Sequence, residues 1–61
     1  MKVYIYTYRH DNYWGFQVCR FDEIDHEIPI YAKAGYYDRG DAEQAAMNYC
    51  KEHEMECEVL I

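Results

Sequence analysis

Residues 2–9, KVYIYTYR, set Val3, Ile5 and Thr7 on one side of an extended chain and Tyr4, Tyr6 and Tyr8 on the other. β-Branched and aromatic residues fill the run, so it reads as a strand. Asp11 and Asn12 follow, two residues that tolerate the left-handed backbone of a tight hairpin turn. If those two form the loop, Thr7 faces Phe16 and Ile5 faces Val18. On the other side Tyr8 meets Gly15, Tyr6 meets Gln17 and Tyr4 meets Cys19. The apolar sets coincide in this register, and a slip by one residue separates them. The first third of the chain is therefore constrained to a hairpin with one apolar side and one tyrosine side.

A chain of 61 residues makes one domain, spanning 1–61, near the lower limit for folding without staples. It encloses a thin core and no deep substrate cavity. Three Val, five Ile and one Leu are few, so eight Tyr, two Phe and one Trp must supply much of the buried area. The three cysteines and an N-terminus without a continuous apolar run point to a reduced, cytoplasmic protein with free thiols. No stretch is long and apolar enough to span a membrane.

After the hairpin comes an acidic connection, DEIDHE, over 22–27, then IPIYAKAG over 28–35 as a third strand. Pro29 lacks an amide donor and suits an edge or a strand start. Strict alternation puts Ile28, Ile30, Ala32 and Ala34 on one face and Tyr31 and Lys33 on the other. Asp38 then caps a helix, with Asp41 three residues on. Ala42, Ala45, Ala46, Tyr49, Cys50 and His53 recur along one helical side. Glu54 stands where a glycine commonly ends a helix. ECEVLI, 56–61, alternates again and reads as a fourth strand, with Cys57, Val59 and Ile61 inward. The order β-β-β-α-β describes a small two-layer α+β domain. Its four-stranded sheet is mainly antiparallel and one helix covers one face. A right-handed crossover sets the last strand beside the first, parallel to it, giving the order 4-1-2-3.

Cys50, His53 and Cys57 are three possible zinc ligands within YCKEHEMEC. Zinc wants four ligands, or three and a water, and paired C-x-x-C spacing is absent. Periodicity alone, helical for Cys50 and His53 and strand alternation for Cys57, accounts for all three as core or helix-end residues, and no metal is expected. A nucleophilic Cys50 is disfavoured because it lies near the negative end of the helix among glutamates. The chain has no serine, Thr7 is its only threonine, and its three glycines are scattered, so no serine triad or phosphate loop can be built. DEIDHE lacks the ligand spacing of a calcium loop. Neither an enzyme nor a cofactor is expected. Arg39, Gly40 and Asp41 spell an adhesion tripeptide that a helix start explains better.

What remains is surface. Twelve Asp and Glu against six Lys and Arg give a net charge of −6. That balance repels phosphate backbones and favours a basic protein partner, although net charge also serves plain solubility. The face away from the helix would carry Tyr4, Tyr6, Tyr8 and Tyr31, with Glu56 and Glu58 alongside. Tyrosine suits recognition, but cross-strand self-packing is an equal account of such a ladder. The expected partner-binding set is these six residues with Asp22, Glu23, Asp25 and Glu27 of the acidic connection; a homodimer through the tyrosine face is a further option.

The element order, together with the runs WGFQV (14–18) and DAEQAA (41–46), resembles the partner-binding domain of HicB-type antitoxins. The glycine-threonine helix entry of that family is missing, and no residue role carries over. The resemblance implies a regulatory domain that binds a small basic toxin. The expectation set ahead of it is a small acidic inhibitor, of the anti-defence kind that phages and other mobile elements encode, such as an anti-CRISPR. It would act in the host cytoplasm on a basic nucleic-acid-binding surface. A zinc-stabilised structural domain is the third alternative.

Overall fold

The structure, a computed structural model, describes residues 2–60; Ile61, expected on the core side of the last strand, lies outside the described residues. The elements are β1 (Lys2–His10), β2 (Tyr13–Phe21), β3 (Glu27–Tyr36), α1 (Arg39–Glu52) and β4 (Glu56–Val59). They form one sheet in the order β3-β2-β1-β4, with β4 parallel to β1 and the other pairs antiparallel. The hairpin adopts the register in which Ile5 faces Val18 and Thr7 faces Phe16. Asp11 takes the left-handed turn conformation, with φ 54°.

One face of the sheet meets α1. Val3, Ile5, Phe16 and Val18 lie beneath Ala46 and Cys50, all buried, and Ile30, Tyr36, Tyr49, Met55 and Cys57 pack around them. Small side chains at Ala42 and Ala46 let the helix settle close to the strands. Asp38 caps the helix by accepting the Asp41 amide at 2.8 Å.

The helix end is equally defined. The Met55 amide bonds the Cys50 carbonyl at 2.8 Å and the Glu54 amide bonds the Lys51 carbonyl at 3.2 Å. This is the doubled pattern of a helix closed by one left-handed residue, and Met55 supplies its hydrophobic contact. The left-handed residue is Glu54, with φ 55°. A side chain there is strained, and its charge sits at the negative end of the helix dipole. Glu54→Gly is therefore expected to stabilise the domain by about 1 kcal/mol, read as a rise of several degrees in melting temperature. A lower melting temperature would mean that Glu54 makes an offsetting contact.

The third strand corrects the alternation expected of it. Phe16 pairs with Lys33 and Val18 with Tyr31, so Lys33 and Tyr31 share the helix-covered face. Ala32 and Ala34 stand instead opposite Gln17 and Gly15, on the open face. One irregularity causes the switch and a second, past Ala34, ends it. Between Cys19–Pro29 and Val18–Tyr31, Ile30 is an extra residue, and between Gly15–Ala34 and Trp14–Tyr36, Gly35 is another, with φ 109°. Each bulge shifts the parity of the strand by one. β3 is an edge, so nothing on its outer side resists the distortion. Pro29 and Gly35 are the sequence signals that strict alternation overlooks.

Candidate protein interface

The open face is less open than a bare tyrosine ladder. Tyr4, Tyr6 and Tyr8 are half-buried although no helix covers them. Gly15 is the reason for one: a Cβ there would lie 2.7 Å from Cζ of Tyr8, so the ring lies down on the glycine. The Cys19 thiol donates to the Tyr6 hydroxyl at 3.7 Å, and Cys19 is wholly buried on this side of the sheet. Burial raises the pKa of that thiol. Tyr4 meets Phe21 edge-on at 5.1 Å between ring centroids. The tyrosines of β1 thus roof a floor of small β2 side chains, a thin second core. Tyr31, expected beside them, stacks on Tyr49 of the helix at 4.5 Å with the rings 5° from parallel. It is removed from the tyrosine face.

Charge is where the expected residues converge. β2 ends and β3 begins at the end of the sheet where β1 and β4 start. The 22–26 connection therefore lies at the same end as Glu56 and Glu58. α1 returns the chain to that end, bringing Glu52 and Glu54 with it. Asp22, Glu23, Asp25, Glu27, Glu52, Glu54, Glu56 and Glu58 share one pole of a molecule 35 Å long. Against them stand Lys2, Arg20 and Lys51, so this pole holds a formal −5 of the chain's −6. Sequence reasoning found six of these eight carboxylates. It missed Glu52 and Glu54, although the crossover itself requires the helix to end where β1 begins.

These charges are not spent on one another. Among the described residues the only ion pairs within 4.0 Å are His10–Asp11 at 3.8 Å and His26–Asp22 at 3.6 Å. No described Lys or Arg reaches a described carboxylate. Three cations lie over aromatic rings instead: Lys2 over Tyr4 at 5.6 Å, Arg9 over Trp14 at 5.8 Å and Lys33 over Tyr36 at 6.0 Å. The carboxylates at the acidic pole keep their long-range field.

Within the 22–26 connection, Asp22 has an internal task. Its Oδ1 accepts the Ile24 amide at 3.0 Å and the His26 amide at 2.8 Å, and its own amide bonds the His26 carbonyl at 3.1 Å. Asp25 adopts the left-handed conformation, with φ 60°. The loop is thereby held in one shape, presenting Glu23, Asp25 and a largely exposed Ile24 outward.

The cysteine–histidine cluster separates. Cys50 is buried in the core and Cys57 packs against it, whereas His53 is exposed with its ring 4.3 Å from that of Tyr49. Burial, reinforced by neighbouring Cys57, pushes the Cys50 thiol up to about 11, so it is a neutral thiol at neutral pH. Among the described residues no three His, Cys, Asp or Glu side chains converge as a metal ion requires. No described helix is long and apolar enough to cross a membrane.

The chain matches no family model, and neither a curated protein nor a solved structure matches it. The likeness to HicB-type antitoxin domains thus rests on element order and two short runs.

Proposed function

We propose that this chain is an acidic protein-interaction module that inhibits a basic partner by occupying its nucleic-acid-binding surface. The observation that carries this reading is the gathering of eight carboxylates at one pole, none of them neutralised by Lys or Arg. A field of that sign raises the encounter rate with a basic cleft and opposes direct contact with nucleic acid. In this reading the carboxylates meet the partner's cationic side chains in place of phosphates. The hydrogen bonds that Asp22 makes within the 22–26 loop lower the ordering cost of binding.

Affinity capture from the source cell, followed by kinetics with the purified partner, tests this. Nucleic acid should compete with the module for the partner. The association rate should fall by about tenfold or more as salt is raised, because steering is screened over ~8 Å at physiological ionic strength. Glu56→Gln with Glu58→Gln should slow association, since both side chains point away from the core. Asp41→Asn with Glu43→Gln, at the opposite pole, should not. If neither salt nor the polar substitutions alter the rate, the acidic balance serves solubility alone and the inhibitor reading fails.

A further inference from the structure

We propose that β4 is a docking edge for an extended basic strand of the partner, which adds to the sheet as a fifth strand. This rests on the reading of the chain as an acidic module for a basic protein and states how that protein is held.

β4 is the outer strand of the sheet and, among the described residues, pairs on one side only. In a parallel ladder, alternate residues turn both backbone groups toward the same neighbour. The Leu60 amide bonds the Ile5 carbonyl at 2.8 Å, which sets the phase. Glu56, Glu58 and Leu60 face β1, and the amides and carbonyls of Cys57 and Val59 face outward. The opposite edge, β3, is blunted by Pro29 and two bulges, as edges that avoid pairing commonly are. β4 carries neither device.

The two sides of β4 differ in chemistry. On the open face stand Glu56 and Glu58, both exposed. On the helix side, a hollow of about 400 Å³ opens between α1 and β4, lined by Met47, Met55, Cys57 and Lys51 among others. Met47 is 42% exposed and Val59 36% exposed. Methionine gives such a hollow an adaptable apolar surface. An incoming strand alternates between these two sides. Its residues toward the open face meet carboxylates and are best basic. Its residues toward the helix meet methionines, with the Lys51 ammonium repelling cations there, and are best apolar. A second copy of this chain does not fit, because pairing β4 with β4 brings Glu56 and Glu58 against their own kind. The occupant is an alternating basic and apolar segment in extended conformation.

Two peptides of equal charge test this by NMR titration of the whole chain. One is KVKVKVK; in the other, proline replaces each valine, so that its backbone cannot continue a ladder. The expected result is saturable binding of the first, with shifts at the Cys57 and Val59 amides and at the Met47 and Met55 methyl groups, and weaker binding of the second. Val59→Pro removes an outward donor while leaving the bonds to β1, and should weaken the first peptide by about tenfold. Retained protection of the Leu60 amide verifies that the variant is folded, and Met47→Lys, on the exposed side of the helix, is the second variant expected to weaken binding. Equal binding of both peptides, with shifts spread over the acidic pole, overturns the docking edge and leaves the electrostatic reading standing. Binding of neither overturns both.

Discussion

Phe16→Ala is expected to abolish folding at ambient temperature. Phe16 is the largest of the fully buried side chains, 1% exposed, and sits centrally on the helix-covered face. Tyr31 and Tyr36 flank it at 5.9 and 6.0 Å between ring centroids. Truncating a buried phenylalanine costs about 3–5 kcal/mol, part of it the cavity left behind. A domain of this length holds on the order of 3–9 kcal/mol in total. The loss removes most of that, and the surrounding rings cannot fill the gap without leaving the helix. Far-UV circular dichroism and a urea titration report the outcome. Phe16→Leu, which keeps much of the volume, should still fold and lose about 1.5 kcal/mol or less. If the alanine variant melts within a few degrees of the parent, the core is not organised around this ring.

Gly15→Ala carries the next largest effect, and it acts on the other face. The added Cβ would lie 2.7 Å from Cζ of Tyr8, 2.9 Å from Cβ of Ala34 and 2.9 Å from the Lys33 carbonyl oxygen. The tyrosine ring can swing away, but the Lys33 oxygen belongs to the backbone of β3 beside the Gly35 bulge. Overpacking of this kind costs about 1–3 kcal/mol. Tyr8→Ala in the same molecule should relieve part of the strain, giving a coupling between the two positions of about 0.5 kcal/mol or more. Additive effects would show that Tyr8 does not lie on Gly15 and that the tyrosine face stands open. That result would also return the face to consideration as a dimer surface, which its present self-packing makes unnecessary.

Most of the sheet was legible because its signals are local and redundant. The alternation of β1, that of β2 and a two-residue turn at Asp11 and Asn12 agree in only one register. Asp38 with Asp41 fixed the helix start, and Glu54 its end, because backbone amides and carbonyls at helix ends must find partners wherever the helix lies. The alternation of Cys57 and Val59 against Glu56 and Glu58 gave β4 its inward face. The placement of Tyr31 was not legible. The extra residue at Ile30 reverses the parity from Tyr31 until Gly35 restores it, and such bulges are tolerated because, among the described residues, that strand has a neighbour on one side only.

The candidate site divides the same way. Sequence alone determined that the chain is acidic and carries three tyrosines on one side of β1, since these are properties of residue type and period. Only the tertiary structure decided which carboxylates act together. Asp22 and Glu58 are far apart in sequence, and they share a pole because an antiparallel pair and a parallel crossover bring four chain segments to one end. It also decided that Tyr4, Tyr6 and Tyr8 roof Gly15 and Cys19 rather than stand in water, since whether a ring lies down depends on the size of its cross-strand neighbour. Charge and period are written residue by residue, whereas proximity across the sheet exists only once the strands have paired.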